Sequence, residues 1–286
     1  MMYLNIPDSQ VVISRLGFGC ARLAAGPELA MSAKLIEAAL RQGVTHFDTA
    51  PMYGSEELLG AVLGDSKGVT IATKVGIQRA PATDGGRHAW HAFYRRHIRP
   101  ILGNFPRLKS ALVRSRGISV HAHIERGQRL LLRDEIHREL ELSLRRLRRS
   151  SIDIYLIHEP ERLILSEELG EIFGMLKKNG VIRAYGLGFG GPLPVASAEF
   201  GTIDQCRYSA EMADKGIAQR ATLFHGVLRY GLHDGSKNTN RHNAGNWVAQ
   251  VLNSHTASAV IFSASSTRQI DRLCIPFYEQ ERSLKQ

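Results

Sequence analysis

The strongest constraint on the fold is a repeated alternation of apolar, β-prone runs with stretches of helical periodicity. Eight runs are predicted as strands, at residues 16–20, 46–50, 69–74, 152–158, 182–188, 203–208, 217–223 and 258–263. Helical patterns lie at 32–41, 56–63, 131–147 and 167–178, and the remaining gaps are mostly long enough for a helix. Eight parallel strands joined by crossover helices predict an α/β fold, the (β/α)8 TIM barrel.

A doubly wound open sheet is the main alternative to the barrel. Its usual Gly-x-Gly-x-x-Gly turn between the first strand and a helix does not follow residues 16–20. Two short runs, 2–6 and 11–14, precede the barrel and flank Pro7-Asp8-Ser9, which predicts a β-hairpin on the barrel floor. We therefore expect one domain over residues 1–286, a single barrel with an N-terminal hairpin.

Composition excludes several classes of protein. The hydrophobic content of 43% is ordinary for a globular protein, and no apolar run approaches the roughly 20 residues that span a bilayer. The first residues lack the pattern of a signal peptide. Cys20, Cys206 and Cys274 are widely spaced and odd in number, so neither a disulfide framework nor a metal site is expected. We expect a cytoplasmic protein with no membrane partner and no metal.

Positive charge is concentrated in one part of the chain. The formal net charge is +10, and residues 78–149 hold 17 Lys or Arg against six Asp or Glu. Residues from roughly 78 to 130 are predicted as a basic insertion after the third strand, on the active-site face. This surface is either merely solvated or attracts nucleic acid, anionic lipid or an acidic substrate. It lacks a nucleic-acid motif, so we expect Arg79, Arg87, Arg95 and Arg96 to draw in an anionic substrate and no nucleic acid to bind.

Four side chains suited to proton transfer lie at the ends of consecutive predicted strands, or just after them: Asp48, Tyr53, Lys74 and His158. Alone, each has an ordinary structural explanation, such as a helix cap, a packing tyrosine, a solvated lysine or a loop histidine. Together they meet at one face of a barrel. An ammonium lowers the pKa of a nearby phenol from about 10, a carboxylate keeps the ammonium charged, and a histidine can hydrogen-bond a carbonyl oxygen.

The sequence resembles the aldo-keto reductase superfamily in five motifs, which occur in family order. They are Phe-Asp-Thr-Ala-Pro-Met-Tyr-Gly (47–54), Ala-Thr-Lys-Val-Gly (72–76), Ser-Leu-Arg-Arg-Leu (143–147), Ile-Asp-Ile-Tyr-Leu-Ile-His (152–158) and Ser-Ala-Ser-Ser-Thr-Arg-Gln-Ile (263–270). The resemblance implies that Tyr53 is the proton donor, Lys74 tunes it, Asp48 partners Lys74, and His158 orients the substrate. It implies reduction of an aldehyde or ketone by hydride from a nicotinamide cofactor.

The resemblance also places the cofactor on the loop after the last strand. Serine hydroxyls and free N–H groups at a helix start make an anion site, and an arginine there suits a ribose 2′-phosphate, which favours NADP over NAD. The alternatives are an ordinary helix cap and, for Gln205, a polar core residue. The expected cofactor contacts are Gly19, Cys20, Asp48, Gln205 (to the nicotinamide carboxamide), Ser263, Ser265, Ser266, Arg268 and Gln269.

Two positions depart from the family pattern. The fifth strand ends Gly-Leu-Gly188-Phe189, where the family usually has Gly-Val-Ser-Asn, so two further carboxamide ligands are missing. At the seventh strand, Arg220 and its neighbours replace a tyrosine that stacks on the nicotinamide, and we predict that the planar guanidinium of Arg220 stacks instead. The leading prediction is an NADP-dependent reductase. The alternative is a nucleotide-binding regulatory or accessory barrel with little or no turnover, and the oligomeric state stays open.

Overall fold

The structure of the protein is a computed structural model that describes residues 2–23, 29–77, 129–164, 168–193, 200–209, 220–229 and 244–283. Nearly all of the predicted basic insertion lies outside these ranges, and so do Arg79, Arg87, Arg95 and Arg96. The expected contribution of these arginines to substrate binding stays a prediction.

The described elements follow the predicted alternation. The strands are β1 (Tyr3–Asn5), β2 (Val12–Ser14), β3 (Leu16–Gly19), β4 (His46–Asp48), β5 (Thr70–Val75), β6 (Arg129–Leu130), β7 (Ile152–His158), β8 (Leu163–Ile164), β9 (Ile182–Gly188), β10 (Ile203–Arg207), β11 (Ala221–His225) and β12 (Ser258–Phe262). The α-helices are α1 (Leu29–Arg41), α2 (Glu56–Val62), α3 (Arg133–Leu147), α4 (Glu168–Lys178), α5 (Ala244–Ser254) and α6 (Thr267–Ser283).

Eight of these strands, β3, β4, β5, β7, β9, β10, β11 and β12, close into a parallel barrel. Each pairs with the next in this order, and β12 pairs with β3 to complete the ring. Every residue of β5 and β7 is buried, as expected for parallel strands covered on both faces. The prediction of a (β/α)8 barrel is confirmed.

Short antiparallel strands β1 and β2 precede the barrel. Their apolar side chains belong to one buried cluster with side chains of the barrel strands: Leu4, Ile6, Val11 and Ile13 pack with Ala72, Ile154, Leu156 and Leu223, among others. Because β2 ends just before β3 begins, this pair covers the end of the barrel where the strands start. The opposite end, where the strands finish, stays accessible for a site.

Strand β11 starts later than the apolar pattern predicts. The pattern gives 217–223, of which 217–219 lie outside the described residues, whereas the observed strand is Ala221–His225. Its register is set by pairing with its neighbours, as in Thr222 with Ser258 and Arg207 with His225. The strand ends at His225 and is followed by Gly226, whose φ of +76° suits glycine. This shift decides which residues of the strand can reach a cofactor.

Two further expectations can be compared with the described residues. None of their helices is long and apolar enough to cross a membrane. In the same ranges no three His, Cys, Asp or Glu side chains come together as a possible metal site. All three cysteines are buried and unbridged.

Candidate active site

A buried ion pair forms the floor of the candidate site. Lys74 Nζ donates to Asp48 Oδ1 at 2.7 Å and to the Thr49 carbonyl oxygen at 2.8 Å. Burial acts to lower the pKa of Lys74, but the charges of Asp48 and Tyr53 outweigh it, so the pKa is raised. Lys74 is therefore an ammonium ion held in one place inside the barrel.

Tyr53 lies beside this ammonium. It ends the 3-10 turn Pro51–Tyr53, which Gly54 terminates at a φ of +70°. Lys74 Nζ is 5.3 Å from the centroid of the Tyr53 ring. Burial raises the pKa of Tyr53 above 10, and Lys74 only partly opposes this effect. The expected net lowering of this pKa is therefore wrong for the free protein, in which Tyr53 keeps its proton.

His158 ends β7 and faces Tyr53, with the two ring centroids 5.9 Å apart at an interplanar angle of 86°. Burial, reinforced by the charges of Lys74 and Arg162, lowers the pKa of His158 to about 3, so the ring is neutral. Its Nδ1 is buried without a hydrogen-bond partner in the described part of the chain. A buried unpaired N–H is costlier than an unpaired lone pair, which favours the tautomer with the proton on Nε2.

These groups line a cavity of about 900 Å³ at the end of the barrel where the strands finish. Seven predicted site residues line it: Gly19, Asp48, Tyr53, Lys74, His158, Gln205 and Ser263. Charged or polar residues that the sequence reasoning missed also line it: Arg22, Glu159, Arg207, His225 and Arg229. Most of these lie at or just after the end of a barrel strand, a signal that could have identified them.

Gln205 lies next to the position where the family pattern is broken. The β9–β10 register sets Gln205 opposite Gly188, and Gln205 is 4% exposed. A Cβ atom on Gly188 would be 3.6 Å from Gln205 Oε1 and 3.4 Å from the Ile157 carbonyl oxygen, which are ordinary contacts. The expected role of Gln205 in holding a carboxamide stays a prediction.

The loop after β12, which begins at Ser263, divides into two parts. Ser263 Oγ donates to the Gly19 carbonyl oxygen at 2.9 Å, which joins the ends of β12 and β3 at the cavity. Ser265 donates through its N–H and its hydroxyl to Gln269 Oε1, at 2.7 and 3.1 Å, and is thereby tied to the first turn of α6. The cavity defined by the described residues does not include Ser265, Ser266, Arg268 or Gln269, so their contacts with a cofactor stay predictions.

The side chain of Cys20 lies outside the cavity that the described residues define. This side chain is fully buried, and its thiol donates to the Phe18 carbonyl oxygen at 3.5 Å. Burial raises the pKa of the Cys20 thiol well above its usual value. The thiol therefore packs behind the cavity wall, and a contact of Cys20 with a cofactor stays a prediction.

The predicted stacking of Arg220 on the nicotinamide is wrong. Arg220 precedes the first residue of β11, and its Nη2 donates to the carbonyl oxygens of Phe200 and Gly201 at 2.8 and 2.9 Å. Its Nε is 3.3 Å from Asp204 Oδ2. A strand of this length, at roughly 3.3 Å per residue, separates Arg220 from the cavity. His225 is the β11 residue at the cavity, with Nε2 3.0 Å from the Phe189 carbonyl oxygen.

Similarity to known proteins agrees with this geometry. The sequence pattern of the Aldo/keto reductase family matches residues 15–199. The chain belongs to this family. It is 29% identical over 197 residues to the aldo-keto reductase YhdN of Bacillus subtilis (strain 168), a match that covers 65% of this chain and 46% of that protein. It is 31% identical over 190 residues to the 6-dehydroglucose reductase of Agrobacterium fabrum (strain C58), covering 63% and 51% respectively.

The matched region thus spans about half the length of these two reductases. The fold is shared more widely than the sequence. An aldo/keto reductase from Klebsiella pneumoniae, solved in complex with NADP and acetate, superposes with a TM-score of 0.61 at 19% identity, over 96% of this chain and 89% of that one. The prediction that this chain is an aldo-keto reductase superfamily member is confirmed.

Proposed function

We propose that this aldo-keto reductase family member reduces an aldehyde or ketone with NADPH, using Tyr53 as the proton donor. The observation that carries the proposal is the buried Lys74 ammonium, fixed by Asp48 and Thr49 and lying 5.3 Å from the Tyr53 ring. Lysine is almost never fully buried unless it is paired, and this buried pair lies at the base of an open cavity. Two similar proteins named as reductases support the same reaction class.

The proton step follows from the electrostatics of Tyr53 and Lys74. Tyr53 holds its proton in the free protein and can give it to a carbonyl oxygen on which negative charge develops. The phenolate that remains is stabilised by the Lys74 ammonium, whose attraction is strong in a site of low dielectric. Asp48 keeps the ammonium charged and oriented throughout.

His158 has an orienting role in this proposal. Its neutral ring and preferred Nε2–H tautomer supply one hydrogen-bond donor towards the cavity. A donor aimed at the carbonyl oxygen fixes the substrate next to Tyr53 and strengthens as negative charge develops on that oxygen. Because the pKa of His158 is about 3, this donor keeps one protonation state across the neutral pH range.

The residues around the cavity fit a nicotinamide dinucleotide. The volume of the cavity suits a large ligand. The amide of Gln205 suits a carboxamide, and Ser263 and the guanidinium groups of Arg22 and Arg229 suit phosphates. When bound, this cofactor supplies the hydride. NADPH is proposed over NADH because of the predicted pairing of Arg268 with a 2′-phosphate and because the Klebsiella structure holds NADP.

Substitution of Tyr53 by Phe tests the proposal. We expect NADPH oxidation in the presence of an aldehyde panel, including sugar-derived aldehydes, to fall by roughly 10²–10⁴-fold in kcat. The NADPH dissociation constant, measured by protein fluorescence, should stay the same because the phenol ring is kept. Tyr3→Phe, at an exposed side chain of β1, is the matched control and should leave both quantities unchanged.

The alternative of a regulatory barrel is favoured by one observation, the absence of polar side chains at Gly188 and Phe189. It predicts that the wild-type protein binds NADPH and turns over no carbonyl compound. A wild-type protein with that behaviour would refute the reductase. Equal activity of the wild type and Tyr53→Phe would refute Tyr53 as the donor.

A further inference from the structure

We propose that Arg207 binds an oxyanion on the substrate, so that the site selects carbonyl compounds carrying a carboxylate or phosphate group. This inference rests on the proposed reductase function and deepens it. Arg207 is the last residue of β10, two positions beyond Gln205, and it lines the active-site cavity with an exposed side chain. Its position was not singled out by any sequence motif.

The Arg207 side chain is held at both ends. Its Nη2 donates to the Gly190 carbonyl oxygen at 2.9 Å. Its aliphatic part passes over Gly226, where an added Cβ atom would be 3.3 Å from Arg207 Cγ. The backbone N–H of Arg207 also donates to the Gly191 carbonyl oxygen at 2.8 Å. A guanidinium that is already positioned loses less side-chain entropy when a ligand binds.

The loop that contains Gly190 and Gly191 also connects Arg207 to the reacting groups. A Cβ atom on Gly190 would be 2.9 Å from Glu159 Oε1, so Glu159 lies close against the residue that holds Arg207. Glu159 directly follows His158, and its N–H donates to the Gly188 carbonyl oxygen at 2.7 Å. The guanidinium is therefore on the His158 side of the cavity. An anionic group bound there belongs to a molecule that also reaches His158.

Charge at the cavity favours an anion at this position. Two carboxylates line it, and both are paired: Asp48 with Lys74 at 2.7 Å, and Glu159 with Arg162 at 2.7 Å. In the described part of the chain no carboxylate lies within ion-pairing distance of Arg207. One of its five N–H donors is used by Gly190, which leaves enough for a two-point contact with an oxyanion.

The test compares 4-carboxybenzaldehyde with 4-formylbenzamide, which are similar in size and differ in charge. In the wild type we expect kcat/KM with NADPH to favour the carboxylate by about 10- to 100-fold. Arg207→Gln should bring this ratio close to one by raising KM for the carboxylate, and Arg207→Lys should keep part of the preference. Arg145→Gln, which removes one exposed charge on α3, is the matched control and should keep the full ratio. The ratio of kcat/KM for glycolaldehyde phosphate to that for glycolaldehyde tests the same preference for a phosphate.

A second measurement separates this inference from the proposed function. Calorimetry gives the dissociation constants of 4-(hydroxymethyl)benzoate and 4-(hydroxymethyl)benzamide, which need no turnover. Tighter binding of the benzoate that is lost in Arg207→Gln supports the role of Arg207. It does so even if neither aldehyde is reduced, and that lack of reduction would refute only the reductase. A carboxylate preference that is unchanged in Arg207→Gln refutes the role of Arg207. The role is also refuted if Arg207→Gln instead weakens the binding of NADPH.

Discussion

Buried charged groups are paired differently at the two ends of the barrel. Where the strands begin, Asp153 accepts a hydrogen bond from the Ile71 N–H at 2.8 Å and pairs with Arg149 at 2.9 Å and Arg183 at 3.0 Å. Where the strands finish, Lys74 pairs with Asp48 and faces a cavity that further arginines line. The first arrangement satisfies each charge within the protein, whereas the second leaves capacity for a ligand.

Local geometry divides the two ends less cleanly, because buried polar atoms without a hydrogen-bond partner in the described residues also lie where the strands begin, at His46 Nε2, Asp204 Oδ1 and His255 Nε2. At the cavity end, His158 Nδ1 is buried without a partner in the described residues, and Glu159 adopts a left-handed φ of +49°. Such strained or under-satisfied groups cost free energy and are concentrated at functional sites. At the opposite end, Arg15 donates to the carbonyl oxygens of Leu252, His255 and Ser258. We infer that one end contributes stability and the other contributes chemistry.

The largest expected effect comes from removing one cation at each end. Lys74→Met should lower kcat by roughly 10²–10⁴-fold, because the phenolate of Tyr53 loses its nearby positive charge. Arg149→Met should lower the free energy of unfolding by about 3–5 kcal/mol, because Asp153 and two carbonyl oxygens lose a buried partner. It should leave kcat of the folded enzyme unchanged. Urea unfolding and steady-state kinetics of both variants give the two quantities.

Lys74→Met also leaves Asp48 buried and unpaired, so a loss of folding could be mistaken for a loss of chemistry. The double variant Lys74→Met/Asp48→Asn removes that unpaired charge and should recover stability without recovering activity. A double variant with near-wild-type kcat would contradict the role of the ion pair. Lost activity in Arg149→Met at full stability would contradict the division between the two ends.

The convergence of the four reacting side chains could be predicted from sequence because the carboxyl ends of parallel strands meet at one face. The position of Arg220 could not, because an apolar run indicates that a strand exists and does not fix the pairing register that sets its ends. The sign of the Tyr53 pKa shift also escaped the sequence. It depends on how far burial outweighs the charge of Lys74, and burial is a property of the packed fold.

Arg207 and His225 show a second limit of sequence reasoning. Both end a strand, yet what they contact depends on the loop at 189–191, which joins β9 to its neighbours through Phe189, Gly190 and Gly191. Contacts between a loop and a distant strand follow from tertiary packing and leave no periodic signal in the chain. The contacts that Arg207 and His225 make with this loop were therefore found only in the structure.

A smaller effect, the pH dependence of the free energy of unfolding, tests the end of the barrel that contributes stability. Burial raises the pKa of Asp204 to about 6, although Arg220 opposes this rise. The unfolded value is about 3.9, so the neutral carboxyl favours the folded state below about pH 4, and this contribution is lost as the pH rises through 6. Asp204→Asn should therefore be more stable than the wild type by about 1–3 kcal/mol at pH 7.5, with the difference vanishing near pH 4.

Urea unfolding between pH 4 and 8 measures this difference, and effects common to both proteins cancel. Asp65→Asn, on the exposed turn after α2, is the control for the Asp-to-Asn substitution itself. If Asp204→Asn is less stable than the wild type at every pH, the attraction of Arg220 outweighs the cost of burying the charge. kcat should be unaffected, because Asp204 lies at the end remote from Tyr53.

The smallest expected effect compares two glycines near the end of β9, Gly186 and Gly188. A Cβ atom on Gly186 would be 1.6 Å from the Ile203 carbonyl oxygen, whereas on Gly188 its nearest contact is 3.4 Å. Gly186→Ser should therefore displace β10 and fold poorly, and Gly188→Ser should fold like the wild type. A serine hydroxyl at 188, beside Gln205, should tighten NADPH binding by about 2- to 12-fold, the value of one neutral hydrogen bond of about 0.5–1.5 kcal/mol.

Fluorescence titration with NADPH and thermal unfolding separate the two outcomes. Tighter NADPH binding by Gly188→Ser would place the carboxamide beside β9 and β10, and would explain the missing side chain as a loss of affinity. Unchanged or weaker binding in a stably folded Gly188→Ser would mean that the ring is held elsewhere, with His225 as the neighbouring group to substitute next. A well-folded Gly186→Ser would show instead that β9 and β10 can separate far enough to admit a side chain at this position.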